Sequence, residues 1–298
     1  MINRLGYACI CNDMAERTPS VFMGRTLRLS SFSIPKVSCL SLLNVQDLYR
    51  IIQWNVEHNI TFFRIGSNLF PFIDHPSLCY AVEQLPDGAA IKEILLNCGN
   101  LARQYGMRLT SHPGPYNCLG SPNDDVVRKT VLSLEVHRML GELLGLGDFV
   151  INIHIGGGYG DLDATGKRFC ANFGMLSMQA QQWLTVENDD KASLWSVRDL
   201  YERIYSVIGI PIVFDMHHWR VCHALSMQEE ACLALKTWGN KIPKMHYSES
   251  RGNDCLQAHS DYIENKIPDL SPTLYDVMIE AKQKERALLK YRLCQPVP

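Results

Sequence analysis

The sequence lacks a membrane-spanning segment, because none of its apolar runs approaches the roughly 20 residues that a transmembrane helix needs. Its first residues, MINRLGYACICND, also lack the charged start and apolar centre of a secretory signal peptide. No CxxC pair occurs among the 11 cysteines, so reduced thiols are a better expectation than a disulfide framework. We therefore expect a cytoplasmic protein with no membrane partner.

A strong excess of charge is missing as well. The formal charge of −2 argues against indiscriminate binding to nucleic acid, although a local basic surface can still surround a site filled with cations. The chain is 46% hydrophobic and 20% charged, which is typical of a globular protein with a substantial core. Its 298 residues could form two small domains or one large α/β domain.

Short β-rich segments alternate with stretches of helical spacing along the whole chain. Eight segments have strand character, at 4–11, 61–66, 107–113, 149–155, 183–189, 210–218, 242–248 and 275–282. Between them, apolar residues recur at i, i+3, i+4 and i+7, and several of these stretches end on glycine. This alternation predicts an α/β fold, a single (β/α)8 TIM barrel over 1–298 with a short basic tail from about 283.

Polar side chains collect where the predicted strands end, as in IPIVFDMHHWR at 210–220. In a (β/α)8 barrel the active site forms at these C-terminal strand ends and in the loops that follow. The residues at such positions are Asp74, His75, His112, His154, Glu187, Asp215, His217, His218, Lys244, His246, His259 and Glu280.

A single histidine or carboxylate at a strand end is more often structural than functional, but here seven of the ten histidines share this placement. Five or more imidazoles with three carboxylates exceed the ligands of one zinc ion, so the pattern favours a centre with several ions. Ligation by His, Glu and Asp without thiolate suits manganese or zinc. Two or more such ions a few ångströms apart are typical of phosphodiester hydrolysis.

Lys244 stands two residues before His246 and should share its face of the strand. An ammonium group among metal ions would be repelled. Lys244 could instead contact phosphate at the outer rim, remain a neutral amine, or be carboxylated by CO2 into a bridging anion. The sequence leaves these three alternatives open.

The glycine-rich run IGGGYGDLDATGKR at 155–168 resembles a phosphate loop only superficially. Its Gly-Lys pair lies one residue too far from Gly160 and is followed by Arg168, and the run does not match GxGxxG. We therefore expect no nucleotide cofactor, and the glycines should let the loop turn beside the metals. GxSxG and HExxH motifs are also missing, which argues against those hydrolase and protease classes.

Several motifs together resemble the UV damage endonuclease family over nearly the whole chain. They are LGYAC, FRIGSNLFPF, SHPGPYN, NIHIGGGYGD, VEND, FDMHH and KMHYSES. The resemblance implies a barrel related to endonuclease IV and the xylose isomerase-like proteins. It also implies a hydrolase that nicks double-stranded DNA immediately 5′ to UV photolesions, namely cyclobutane pyrimidine dimers and 6-4 photoproducts. The metal argument above adds that 3′-hydroxyl and 5′-phosphate ends should result.

Carried over by position, the resemblance implies a set of site residues and two to three divalent ions, with Mn2+ preferred and Zn2+ or Mg2+ as alternatives. Its metal ligands are His75, His112, His154, Glu187, Asp215, His218, His246, His259 and Glu280, and Lys244 corresponds to a modified lysine. We expect Lys244, Glu187 and Glu280 to be catalytic. Strand alternation favours His217 as the companion of Asp215, whereas the resemblance selects His218.

The resemblance also implies DNA contacts by Tyr7, Asn12, Pro115 and Tyr116. Pro115 stands where the family usually has glutamine, so an amide is lost while Tyr116 remains as a stiff wedge that can unstack a base step.

Two other functions stay open. A sugar isomerase or epimerase on the same barrel would have a closed pocket, and a non-catalytic damaged-DNA-binding protein would not need so many ligands.

Overall fold

Eight parallel strands form a closed barrel in the computed structural model, which describes residues 1–78, 80–252 and 255–294. The strands are β1 Ile2–Ala8, β2 Phe62–Ile65, β3 Arg108–Ser111, β4 Val150–His154, β5 Leu184–Glu187, β6 Ile212–Asp215, β7 Lys244–Tyr247 and β8 Tyr275–Ile279. Each strand pairs with the next in sequence, and β8 pairs with β1. The predicted (β/α)8 TIM barrel is confirmed.

Helices follow the strands as the apolar spacing indicates. The α-helices are α1 Asn12–Ala15, α2 Ile34–Glu57, α3 Gly88–Gln104, α4 Asp124–Leu143, α5 Leu162–Phe173, α6 Met178–Trp183, α7 Val197–Leu200, α8 Ser206–Ile208, α9 Met216–Trp219, α10 Met227–Lys236 and α11 Lys284–Cys294. Short 3-10 turns occupy Leu29–Ser31 and Val82–Gln84, and a π-helical turn, Tyr201–Tyr205, joins α7 to α8. The stretch expected as one helix at 167–182 is divided, since α5 ends before Gly174 and α6 begins at Met178.

The C-terminal segment differs from the expected short basic tail, because most of it is the packed helix α11. Ala287, Leu288 and Tyr291 are buried. The Tyr291 hydroxyl accepts a hydrogen bond from the Ile267 N–H at 3.1 Å. Arg286 forms an ion pair with Asp13 at 2.6 Å, which ties this helix to α1. These contacts place α11 in the helical layer around the barrel.

The main apolar core lies between the barrel and its helices. Leu48, Ile51 and Ile52 of α2 pack there with Ile91 and Leu95 of α3. Burial of one aliphatic side chain contributes about 1.5–3 kcal/mol, so this layer holds the strand ends in place. None of the helices in the described ranges is both long and apolar enough to cross a bilayer.

The inside of the barrel is polar, and several of its polar groups are paired. Near the N-terminal strand ends, the buried Asp276 carboxylate binds Arg4 at 3.1 Å and Arg108 at 2.8 Å. Further along the barrel, Thr185 Oγ1 donates to Asn152 Oδ1 at 2.9 Å. Buried polar groups are stable only when they are hydrogen-bonded, so these pairs make a polar interior possible beneath the C-terminal mouth.

We predict that Gly99→Ala destabilises the protein, because a Cβ on this α3 glycine would lie 1.6 Å from the Leu144 carbonyl oxygen. Forcing the end of α4 away should cost about 1–3 kcal/mol and lower Tm by roughly 5 °C. Gly147→Ala is the matched control, since a Cβ there has no heavy atom within 4 Å among the atoms of the described chain. Thermal unfolding of both variants checks this, and an unchanged Tm for Gly99→Ala would contradict the packing argument.

Candidate metal centre

Seven potential metal ligands meet at the C-terminal mouth of the barrel, and we call them the donor cluster. They are His112, His154, Glu187, Asp215, His218, His246 and Glu280. They form three overlapping groups, namely His112 with His154 and Glu187, Glu187 with Asp215 and His218, and Asp215 with His246 and Glu280. Within each group, one ligand atom from every residue lies within 4.8 Å of the others.

The strand register explains why residues distant in sequence meet. His154 of β4 is paired with Glu187 of β5, and Asp215 of β6 is paired with His246 of β7. Glu280 follows β8 directly, and its N–H donates to the Tyr247 carbonyl oxygen at 2.9 Å. Because all eight strands are parallel, their last residues reach the same end of the barrel.

Glu187 is the centre of the donor cluster. Its carboxylate oxygens lie 2.9 Å from His246 Nδ1, 3.3 Å from His112 Nε2, 3.6 Å from His218 Nδ1 and 3.9 Å from His154 Nε2. Asn152 Nδ2 also donates to this carboxylate. Burial alone would raise the pKa of Glu187, but the surrounding imidazoles, led by His246 and His154, hold it well below its usual range. The group is therefore an anion that can bridge two cations.

Asp215 has one occupied and one free carboxylate oxygen. Oδ1 accepts from the N–H groups of His217 at 2.7 Å and His218 at 2.8 Å. Oδ2 is buried and has no hydrogen-bond donor within the described chain, and the buried His246 Nε2 likewise has no partner there. Unpaired buried polar atoms are costly, and together with the His, Glu and Asp composition they fit a divalent cation.

Three imidazoles of the donor cluster, those of His112, His154 and His218, have shifted pKa values. Burial would lower the pKa of His154, but Glu187 and Asp189 outweigh it and raise the value to about 9. Asp215 and Glu187 likewise raise the pKa of His218 to about 9 against the effect of burial. Burial dominates at His112 and lowers its pKa to about 4. Because metal binding requires neutral imidazoles, two of these ligands must release protons when an ion binds.

Hydrogen bonds to backbone carbonyls orient several of the rings. His112 Nδ1 lies 3.0 Å from the Pro113 carbonyl oxygen, and His218 Nδ1 lies 2.9 Å from the Asn188 carbonyl oxygen. A carbonyl oxygen only accepts, so Nδ1 carries a proton and Nε2 is the atom left to bind an ion once the ring is neutral. This arrangement is typical of histidines that ligate metals.

The end of β6 gives His217 and His218 different surroundings. The strand stops at Asp215 and the helical turn α9 begins at the next residue, so the alternation of strand faces no longer applies. His218 turns into the donor cluster, whereas His217 Nε2 lies 3.2 Å from the Gln257 carbonyl oxygen. His218, the position that the resemblance selected, therefore stays the predicted ligand.

His75 and His259 are outside the three ligand groups found among the described residues. His75 lies in the loop after β2, where its Nδ1 accepts from the Ser77 N–H at 3.2 Å. His259 contacts members of the donor cluster, since its Nδ1 is 2.7 Å from the Glu280 carbonyl oxygen and its ring centroid is 6.4 Å from that of His218. Their ligand roles stay predictions.

Lys244 is fully buried, and its ammonium nitrogen has no hydrogen-bond partner in the part of the chain that the structure describes. Burial and the nearby Arg64 lower its pKa to about 7. A side chain without exposure cannot contact phosphate at the outer rim, so that alternative for Lys244 is wrong. The neutral and the carboxylated forms remain.

Arg64 is a site residue that the sequence reasoning missed. It lies on β2 and forms an ion pair with Glu280, and its side chain is only 13% exposed. Burial would raise the pKa of Glu280, but Arg64 and His246 outweigh it and hold the value below its usual range. The available signal was a charged residue inside the otherwise apolar segment TFFRIG. Asn188, which donates to the Asp215 carbonyl oxygen at 3.0 Å, was also missed.

The predicted DNA contact of Tyr7 is wrong, because this side chain is fully buried and its hydroxyl donates to Asn55 Oδ1 of α2 at 2.8 Å. A phenol enclosed between β1 and α2 cannot touch a duplex. Asn12, at the start of α1, is half-buried. Pro115 and Tyr116 lie on the loop after β3 and are exposed, with 77% of Tyr116 accessible.

The fold and the donor cluster together define a (β/α)8 barrel with a candidate multi-ion centre at its C-terminal mouth. Endonuclease IV from Thermus thermophilus shares this fold, with a TM-score of 0.60 and 13% identity over 98% of this chain and 97% of that one. An identity this low shows the barrel alone. The crystal structure of SacUVDE is more similar, with a TM-score of 0.85 and 28% identity over 99% of both chains.

The chain belongs to the family UV-endonuclease UvdE, whose sequence model matches residues 3–298. The UV-damage endonuclease of Schizosaccharomyces pombe is 34% identical over 98% of this chain and 50% of its own length. The chain thus spans about half the length of that fungal relative. The family suggested by the sequence motifs is confirmed.

A cavity of about 720 Å3 lies between the loops after β2 and β3, and His137 of α4 lines it. Burial lowers the pKa of His137 to about 4, so the folded protein holds a neutral imidazole there. Below pH 6.5 the unfolded chain binds a proton that the folded chain does not, and stability should decline as the pH falls from 6.5 to 4.

Lowering the pH from 7.5 to 5 should decrease the free energy of unfolding of the wild type. We predict that this decrease is about 2 kcal/mol smaller in His137→Leu. Urea unfolding at both pH values, with chelator present, measures the difference. Above pH 7 the two proteins should differ only by a constant offset. Parallel stability profiles from pH 7.5 to 5 would show that His137 is protonated in the folded state.

Proposed function

We propose that this chain is a metal-dependent DNA repair endonuclease, a hydrolase that nicks the phosphodiester bond immediately 5′ to UV photolesions. The proposed lesions are cyclobutane pyrimidine dimers and 6-4 photoproducts, and the proposed products are 3′-hydroxyl and 5′-phosphate ends. The observation that carries the proposal is the donor cluster, in which seven ligands from six strand ends meet in a member of the UvdE family.

The donor cluster would hold two to three divalent ions, with Mn2+ preferred over Zn2+ or Mg2+. When bound, such ions activate water and stabilise the charge that develops on a phosphoryl group and its leaving oxygen. Glu187 and Asp215 would each contribute to more than one ion site, since each belongs to two ligand groups. His75 and His259 are further proposed ligands at the edge of the centre.

The residues around the donor cluster fix its geometry before substrate arrives. Asn152 holds the Glu187 carboxylate, and Asn188 accepts from the Asp215 N–H at 2.8 Å through its Oδ1. Arg64 orients Glu280 through their ion pair. Fixed dipoles and charges of this kind lower a barrier because they need no reorganisation during the reaction.

Lys244, Glu187 and Glu280 are the proposed catalytic residues. Lys244 sits in the barrel two residues before His246 on β7, with its nitrogen unpaired in the described chain. The neutral amine of Lys244 would add to CO2 and release one proton, and the resulting carbamate would be an anion that suits a site filled with cations. In this form it would face Arg64, whose Nε is also buried without a partner among the described residues.

DNA recognition is assigned to the loop after β3 and to Asn12. Tyr116 is 77% exposed, which is unusual for a tyrosine that serves only packing. An exposed ring next to the mouth can enter a base step, and damaged steps are less costly to unstack. Pro115 stiffens the loop. The substrate is therefore UV-damaged double-stranded DNA, and the whole chain acts as one nuclease domain in the cytoplasm.

The decisive experiment incubates the protein with UV-irradiated and undamaged duplex, with Mn2+ and with chelator, and maps any ends at nucleotide resolution. We expect metal-dependent nicks directly 5′ to lesions and none in undamaged DNA. Retention of damaged duplex without nicking would identify a binding protein. Turnover of a ketose without nicking would identify a sugar epimerase.

We predict that His246→Ala and Glu280→Ala each lower the nicking rate by at least about a hundredfold, because each removes a ligand from the third group of the donor cluster. His223→Ala is the matched control, since this exposed histidine bonds only the Trp219 carbonyl within the described chain. Nicking and bound metal per protein should fall together in the first two variants. A fully active Glu280→Ala protein would contradict the ligand assignment.

A further inference from the structure

Tyr159 is an exposed aromatic residue that the proposed mechanism does not yet use. Among the described aromatic residues, three are about half exposed or more, namely Tyr105 at 48%, Tyr116 at 77% and Tyr159 at 52%. Tyr116 and Tyr159 lie on neighbouring loops at the C-terminal mouth, after β3 and β4. Tyr105 ends α3 at the opposite end of the barrel.

The backbone at Tyr159 is in the left-handed region, with φ at 47°. Gly156 and Gly160 in the same loop have φ values of 93° and 78°. Residues other than Gly, Asn and Asp are disfavoured in this region. The chain therefore keeps a large ring where its backbone favours glycine, and an unfavourable conformation of this kind beside a site points to a function of the side chain.

The loop that carries Tyr159 is held in place on both sides. Gly158 O accepts from Thr165 Oγ1 at 2.9 Å, and Gly156 O accepts from Trp195 Nε1 at 3.1 Å. A Cβ at Gly156 would lie 2.4 Å from Cys118 Sγ, so this loop packs closely on the loop that carries Tyr116. The ring is presented on a fixed support, which reduces the entropy lost on binding.

Arg168 supplies a cation next to the ring. Its guanidinium carbon lies 5.8 Å from the centroid of Tyr159. Its Nε donates to Gly120 O at 2.9 Å and its Nη2 donates to Thr165 Oγ1 at 2.8 Å, while no hydrogen bond from Nη1 occurs within the described ranges. The nearby Asp163 is engaged with Arg203 at 2.7 Å.

We propose that Tyr159 and Arg168 form a second DNA contact at the mouth, in which the ring stacks on a base or sugar and the guanidinium binds the adjacent phosphate. This inference rests on the proposed function for its substrate, UV-damaged duplex. Tyr159 follows the metal-ligand candidate His154 by five residues, so it lies within about 18 Å of that residue. The contact therefore positions DNA within a few nucleotides of the centre.

The test compares Tyr159→Asn and Tyr159→Phe with the matched control Tyr105→Asn. Asparagine tolerates the left-handed backbone, so Tyr159→Asn should fold with an unchanged or higher Tm. Binding of a labelled duplex with one thymine dimer is measured by anisotropy, with chelator and with Mn2+. We expect about tenfold weaker binding for Tyr159→Asn, and near wild-type binding for Tyr159→Phe and Tyr105→Asn.

Arg168→Gln gives an independent measurement, because loss of one phosphate contact should reduce the slope of log affinity against log salt by about 1. Single-turnover nicking at rising protein concentration separates binding from chemistry. Tyr159→Asn should raise the half-saturating concentration about tenfold and leave the maximal rate within about threefold.

The inference is overturned if Tyr159→Asn binds as wild type does, if Tyr105→Asn is equally weakened, or if only the maximal rate falls. Wild-type binding without nicking would sink the nuclease proposal, and the affinities would still decide the role of Tyr159. Absence of any wild-type binding to damaged duplex would overturn both.

Discussion

The structure depends on the burial of several carboxylates at one mouth of a closed barrel. Glu187 and Asp215 are almost fully buried, and Glu280 is nearly so. Candidate ligand atoms of Asp215 lie within 4.8 Å of those of Glu187 and of Glu280. Like charges this close in a region of low dielectric repel strongly, and they are stable together only among cations. In the protein alone, raised imidazole pKa values and Arg64 provide that compensation. The same balance makes the mouth a place where divalent ions can replace protons.

The polar interior of the barrel follows from this constraint. Asn152 donates to the Glu187 carboxylate, and Asn188 bonds the backbone of Asp215, so both fix the geometry of the cluster without adding or removing charge. Lys244 is the exception, since it is a buried amine without a partner in the described chain and with two arginines nearby. Its surroundings disfavour the ammonium form, so a neutral amine or a carboxylated nitrogen is more compatible with the interior of the barrel.

The sequence predicted the parts of the molecule that depend on the spacing of apolar residues and on which residues end the strands. All eight strands and all seven members of the donor cluster were expected, because parallel strands deliver their last residues to one mouth. His218 could not be preferred over His217 from alternation, since a helical turn replaces the strand after Asp215. The Tyr7 hydroxyl bonds Asn55 of a helix distant in sequence, and the Arg64 ion pair joins β2 to the residue after β8, so neither contact follows from a local sequence pattern.

The charges outside the mouth leave few basic residues available for the proposed contacts with DNA. The basic residues of α11 are largely used within the protein, since Arg286 binds Asp13 and Lys290 binds Glu264 at 2.7 Å. A chain with a formal charge of −2 cannot attract a polyanion through its general surface. In the proposed function, attraction would come from divalent ions held by the donor cluster and from single rim groups such as Arg168. Under that proposal, recognition of DNA would depend on shape and stacking near the mouth, where Tyr116 and Tyr159 are exposed on neighbouring loops.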